Sequence, residues 1–249
     1  MHHRRFLVAA EAVANGQVTF GPAQARQLAA VLRLREGDAV SVLDGAGREW
    51  SACLTLATPH RALGRLLEER PPEVPPRVLL TLAQVVPRGA AMDLVVAKAT
   101  ELGVWRIVPL EAEHSVRRAS VTGRHARWRR IVVEATEQCG RRSLPDLSAP
   151  CTLDKFLRGH PPEEPLFVCD NGEGAVPLVQ ACRAVAGAPA LTVLVGGEGG
   201  LSPVELDRVR SRGGRAVALG PRILRAEKAA LAALVALQVC LGDLAGSSA

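Results

Sequence analysis

The sequence predicts an α/β protein: a small β-barrel over residues 1–70, a stiff linker over 71–77, and a parallel-sheet domain over 78–249. Three observations carry that reading. Four prolines (71, 72, 75 and 76) fall between Arg70 and Arg77, where neither a helix nor a sheet interior can continue. Ahead of them lie short strand-like runs. Behind them, apolar strands alternate with helical patterns, the mark of a parallel sheet covered on both faces.

Taken in order, Phe6-Leu7-Val8, Gln17 to Phe20, Ala39 to Leu43 and Glu49 to Leu54 read as strands, with turns such as Asp44-Gly45 between them. Pro22 to Leu32 reads as the one helix among them, with apolar residues at 25, 28, 29 and 32. Short strands with a single helix suggest a small barrel. Past the linker, Val78 to Leu82 is a strand, 90–102 a helix stopped at Gly103, and Arg106 to Leu110 a strand. Helix 124–139, strand 166–169, helix 175–186, strand 191–195, helix 203–212, strand 216–219 and helix 226–241 complete the alternation. The Pro-rich stretch His160 to Pro165 is read as a surface loop.

Length and composition fit one large or two modest domains: 249 residues, 48% apolar and 22% charged. No run approaches the apolar length of a membrane helix, and the start does not read as a signal peptide, so no membrane partner and a cytoplasmic location are expected. The net charge is +6, and the only lysines among 31 basic side chains are Lys98, Lys155 and Lys228. Guanidinium forks grip phosphates at two points. Residues 114–142 carry Arg117, Arg118, Arg124, Arg127, Arg129, Arg130, Arg141 and Arg142 against Glu134 and Glu137, which points to a polyanion. A solvated helix face is the plainer alternative. With four Phe, three Trp and no Tyr, an RNA reader that stacks bases on exposed rings is excluded; binding would run through phosphates and shape. The six cysteines form no C-x-x-C, so no metal is expected.

Ligands of an open parallel sheet collect beyond its carboxyl ends, and two such ends stand out. Val195 leads into Gly196-Gly197-Glu198-Gly199-Gly200, then Ser202, Pro203 and Glu205 spell a capped helix start. The pattern is neither a dinucleotide fingerprint nor a Walker loop, and a plain tight turn is the alternative. Leu219-Gly220-Pro221-Arg222-Ile223-Leu224-Arg225 is the second, its arginines suited to a carboxylate or phosphate or else merely solvated.

Together these stretches resemble the second and third signature motifs of the SPOUT methyltransferases, usually Gly-Pro-Glu-Gly-Gly-Phe and Leu-Gly-x-Arg-Ile-Leu-Arg-Thr-Glu-Thr-Ala. Lys98 to Val104, Glu113 to Val116, and Trp128 to Ile131 with Glu134 to Arg141 extend the resemblance over almost the whole chain, to the branch that methylates N3 of a uridine in 16S ribosomal RNA. It implies a C-terminal trefoil knot, a PUA-like barrel ahead of it, and a homodimer with shared active sites. S-adenosylmethionine would be held by Leu194, Val195, Gly196, Gly197, Glu198, Gly199 and Gly200, and by Leu219, Gly220, Pro221, Ile223 and Leu224. Arg222 and Arg225 are expected to stabilise the charge on the uridine ring, and Glu198 and Glu227 to orient groups or accept a proton. Arg4, Arg5, Arg117, Arg118, Arg127, Arg129, Arg130 and Arg141 are the expected contacts to 16S rRNA or the small ribosomal subunit.

The chain departs from the motifs at Gly197 (usually Pro), Leu201 (Phe), His114 (Arg), and Ala226 and Lys228 (both Thr). The last two favour a rival reading, a non-catalytic ribosome-binding or assembly factor that kept the fold. A Rossmann-type dinucleotide enzyme is disfavoured, because the glycine loop follows a late strand. The final helix is apolar on nearly every side, with Gln238 the only polar side chain between Lys228 and Leu241, so a second face needs cover. A partner subunit would supply it.

Overall fold

A computed structural model describes residues 4–113 and 118–245, with the side chains of 118–122 and 245 outside that description. Two compact units divide the chain: Met1–Val74 with Val133–Leu144, and Pro75–Val132 with Pro145–Ala249.

The first unit holds β1 (Arg5–Leu7), β2 (Val13–Ala14), β3 (Gln17–Phe20), α1 (Pro22–Arg26, running on as a π turn over Gln27–Val31), β4 (Ala39–Leu43), β5 (Glu49–Ala57) and β6 (Ala62–Glu69). They form one sheet in the order β1-β4-β5-β6-β3-β2, antiparallel except for the parallel β1–β4 pair. Its two edges do not pair with each other, so the barrel is closed by packing rather than by a ladder. Phe6 of β1 meets Phe20 of β3 edge to face at 5.8 Å although three strands separate them in the sheet. The sheet therefore curls around one core, filled by Val18, Leu28, Val42, Trp50 and Leu54. The sequence reading missed β6, because its inward place at residue 64 is a glycine that breaks the apolar alternation. A side chain there would reach 3.0 Å from Val18 Cγ1.

The second unit follows the expected alternation closely. In order come β7 (Leu79–Val85), α2 (Ala91–Glu101), β8 (Arg106–Glu111), α3 (Arg118–Cys139), β9 (Asp146–Leu147), β10 (Cys151–Thr152), α4 (Leu153–Gly159) and β11 (Leu166–Cys169). Then come β12 (Val176–Pro177), α5 (Leu178–Arg183), β13 (Ala190–Val195), α6 (Pro203–Ser211), β14 (Arg215–Ala218) and α7 (Ala226–Cys240). The sheet runs β10-β8-β7-β13-β11-β14-β12, with β9 beside β8, and every described pair is parallel. α4 and α6 cover one face through Leu153, Leu157 and Val209. α7 covers the other, against α2, α5, β7 and β13. β14 lies beyond β11, so the chain returns over the carboxyl ends of β11 and β13 to place α7. The segment α4, capped by Thr152 Oγ1, was not anticipated.

In the final helix the one polar side chain between Lys228 and Leu241 is turned inward: Gln238 is 2% exposed, donates to Leu102 O at 2.7 Å and accepts from Asp243 N at 2.9 Å. Past Lys228, which is exposed near its start, α7 leaves Val235 and Val239 exposed. Among the described residues no helix is long and apolar enough to cross a membrane, and no His, Cys, Asp and Glu group is arranged to hold a metal.

Candidate active site

The carboxyl ends of β13, β11 and β14 enclose a cleft of about 360 Å³. β13 delivers the glycine loop, and its shape depends on the missing side chains. A Cβ on Gly196 would lie 2.9 Å from Gly200 Cα and from its carbonyl carbon, so the loop folds back on itself only without one. Gly200 N donates to Gly197 O at 3.1 Å and adopts φ +72°, the left-handed turn that glycine takes without strain. The helix start read from the sequence is present: Glu205 N donates to Ser202 Oγ at 3.3 Å and Ser202 N to Glu205 Oε2 at 2.9 Å. Glu205 Oε1 also accepts from Glu113 N at 2.8 Å, so this one carboxylate ties the loop's exit to the end of β8.

Of the residues expected to hold a cofactor, Val195, Gly196, Gly197, Glu198, Gly199, Gly200, Leu219, Ile223 and Leu224 line the cleft. Leu194 points into the core instead, since alternate side chains of a strand face opposite sides, and Gly220 and Pro221 lie off the lining. Arg222 lines the cleft. Arg225 and Glu227 do not; Arg225 is exposed at the N-cap position of α7 and Glu227 is half-buried. Glu198 has a partner: its Oε1 accepts from Arg88 N at 2.7 Å, which makes it a latch between the glycine loop and the loop after β7.

Sequence reasoning missed the β11 end, where Cys169, Asp170, Asn171 and Gly172 form a third wall, and the contributions of Val217, Ala226 and Ala229. The signal was an apolar strand running into Asp-Asn-Gly, a turn sequence at a carboxyl end. Burial pushes the Cys169 thiol up to about 12, so it stays protonated and is no nucleophile. Gln84 was missed too. It is fully buried, and its amide nitrogen donates to Val85 O at 2.8 Å and lies 3.2 Å from Gly196 O, fastening the first glycine to the end of β7.

The arginine-rich segment divides in two. In the second unit, Arg127 is exposed and paired to Asp93 at 2.8 Å, and Arg129 and Arg130 are exposed without an ion pair among the described residues. Arg124 donates to Gly89 O at 2.8 Å and lies over the Trp128 ring. Arg117 lies outside the described residues, as does the side chain of Arg118. In the first unit, Arg4 is exposed, but Arg5 donates to Arg141 O at 2.9 Å and approaches Glu49 at 3.5 Å. Arg142 pairs with the buried Glu49 at 3.0 Å, and burial lowers the pKa of Arg141.

Comparison with known proteins places this architecture. A family model described as an RNA methyltransferase domain matches residues 74–238, and one described as an RNA methyltransferase PUA domain matches residues 22–67. Ribosomal RNA small subunit methyltransferase E of Synechocystis is 35% identical over 240 residues, covering 95% of this chain and 78% of the relative. Its namesake from Mycobacterium tuberculosis is 31% identical, covering 85% of this chain and 82% of the relative. The crystal structure of the Neisseria gonorrhoeae protein of that name, bound to S-adenosyl methionine, is 32% identical with a TM-score of 0.87, covering 97% of this chain and 99% of that one. Sheet, cleft and family models define the class, an RNA methyltransferase with a PUA domain. Within that class, the chain belongs to the ribosomal RNA small subunit methyltransferase E family.

Proposed function

We propose that this protein is a cytoplasmic homodimer that transfers a methyl group from S-adenosylmethionine to N3 of a uridine in 16S ribosomal RNA, and that its C-terminal crossing is the SPOUT trefoil knot. One observation carries the reading: the cleft at the ends of β11, β13 and β14 is walled by a glycine loop whose fold-back tolerates no side chain at residue 196. The cleft suits the cofactor. Its volume lies in the ordinary range for small-molecule sites, about 300–1,000 Å³. Val195, Val217, Leu219 and Leu224 give it apolar lining, and Asp170 and Glu198 put two carboxylates on its wall, which would supply counter-charge to a sulfonium and an ammonium.

When bound, the cofactor supplies an electrophilic methyl group. The chain's own work is positioning. The glycine loop, Leu219, Ile223 and Leu224 bring main chain to the cleft wall, where it would hold the ligand. Arg222, on the cleft wall, would stabilise the charge that the uracil oxygens gain as N3 loses its proton. Glu198, with one oxygen given to the Arg88 amide, is better suited to holding the loop than to taking that proton. The exposed Val235 and Val239 on α7 support a twofold partner at that helix.

The test is methyl transfer to small-subunit rRNA with mapping of the product. N3-methyluridine is expected, and another modified position, or none, overturns the reading. Gly196→Ala sharpens it, since the added Cβ meets backbone: cofactor affinity measured by calorimetry should fall at least tenfold. The non-catalytic reading draws on Ala226, a cleft-lining position without a hydroxyl, and predicts rRNA binding with no methyl transfer.

A further inference from the structure

At the opposite end of the same sheet lies a second cavity, of about 430 Å³. Thr81 and Thr192, register partners on β7 and β13, line it with Val108, and Phe156 of α4 forms a wall. Thr192 precedes the cleft residue Val195 by three positions, about 10 Å along a strand. The two cavities open at opposite edges of one parallel sheet.

Its polar groups are sorted by kind. His160 has 4% of its side chain exposed, and its Nε2 has no hydrogen-bond partner among the described residues. Burial lowers the pKa of the ring, which keeps it neutral. In the neutral tautomer with its proton on Nδ1, Nε2 presents a lone pair. Glu164 Oε1 lies 3.8 Å from that nitrogen and accepts from Thr192 Oγ1 at 2.5 Å, leaving Oε2 as a further acceptor. A buried acceptor without a donor is costly, so an occupant that brings N–H groups is favoured. At the rim the sign reverses. Lys155 is exposed with no ion-pair partner among the described residues, beside an Arg106 held by Asp146 at 2.9 Å.

We infer that this cavity is a second nucleotide site, for a base with an exocyclic amino group. The amine donates to His160 Nε2 and Glu164, the base lies along Phe156, and the phosphate meets Lys155. Cytosine, adenine and guanine carry that amine; uracil does not. The same chemistry reaches the protein as a free mononucleotide or as one nucleotide of a bound strand. Occupancy of this cavity does not require methyl transfer in the other.

Calorimetry on the full chain, with the cofactor cleft filled by saturating S-adenosylhomocysteine, tests it. CMP should bind at least tenfold more tightly than UMP. Lys155→Gln, a surface change, should weaken CMP severalfold, and His160→Phe should abolish the preference for CMP. If the mononucleotides fail but a short oligocytidylate outcompetes oligouridylate with the same sensitivity to both variants, the ligand is a strand nucleotide. Absence of any cytosine preference in either form, or a preference that both variants leave intact, overturns the site. Failure of S-adenosylhomocysteine to bind would count against the first cleft alone, because the His160→Phe comparison still reports on the second.

Discussion

Residues 118–132 and 133–144 belong to one arginine-rich stretch of sequence but to different units of the molecule, and their charges have different uses. In the first stretch Arg129 and Arg130 stand in solvent, and Arg127 is exposed with only Asp93 against it. In the second, Arg142 is turned inward onto Glu49, which is 2% exposed, and Arg141 is desolvated with its carbonyl taken by Arg5. A count of charges sees one basic patch. The structure separates a surface able to meet phosphates from a set of guanidiniums that satisfy a buried carboxylate. Charge in sequence states what a segment carries; burial decides whether a polyanion can reach it.

The sharpest way to break the comparison is to remove the carboxylate that the inward set serves. Glu49 sits within 3.5 Å of Arg5, 3.7 Å of Arg70 and 3.0 Å of Arg142. Glu49→Ala leaves Arg5 and Arg142, with side chains only 12% and 19% exposed, without their counter-charge. Breaking a buried pair costs about 3–5 kcal/mol, which lowers Tm by on the order of 10 °C in a chain of this size. Thermal unfolding checks this. Since these arginines are spent internally, the salt dependence of rRNA binding should stay as it was; a flattened dependence would show that they meet phosphate after all.

What could be read from the sequence follows the same division. Strands whose apolar residues alternate or run together, such as Ala39–Leu43 and Leu166–Cys169, stood at their expected positions, because local pattern and final burial agree there. So did the Ser202–Glu205 cap, a purely local device. β6 was hidden by an inward glycine, and the joining of 133–144 to the first unit rests on contacts more than a hundred residues apart in sequence, such as Leu7 N donating to Glu137 Oε1. Two walls of the candidate cleft were legible as glycine and arginine loops. The third, Asp170 to Gly172, was not, because only the strand order sets β11 between β13 and β14.

A smaller effect should follow from the outward set. If Arg129 and Arg130 neutralise phosphates, replacing both by Gln should reduce the slope of log affinity against log salt. The reduction should be about 0.9 for each phosphate left unneutralised, or somewhat less on single strands. Arg127→Gln should add less, because its guanidinium is already paired to Asp93 at 2.8 Å and is less free to neutralise a phosphate. Filter binding across a salt series reads all three. A slope unmoved by the double variant would make this a solvated face and erase the contrast with the inward set.

The smallest effect belongs to Glu137, an acid near the end of α3 that lies within the first unit. Its pKa is raised, chiefly by burial and slightly by Glu134, against the lowering influence of the Leu7 amide that donates to it at 2.8 Å. A carboxyl whose folded pKa lies above its unfolded value of about 4.3 binds its proton more tightly in the folded state. The stability it contributes is therefore full below that pH and is lost as pH rises through the folded pKa, so at neutral pH the ionised form is a mild burden. Glu137→Gln keeps an oxygen for the Leu7 amide and cannot ionise. Its Tm should exceed that of the parent slightly at pH 7, and the gap should close towards pH 4. Glu137→Leu removes the acceptor and should fall below the parent at both values, because the Leu7 amide is then left without its partner. If the Gln variant is the less stable one at pH 7, the carboxylate is being stabilised by the nearby guanidiniums, and the inward set extends one turn further up the helix than its ion pairs indicate.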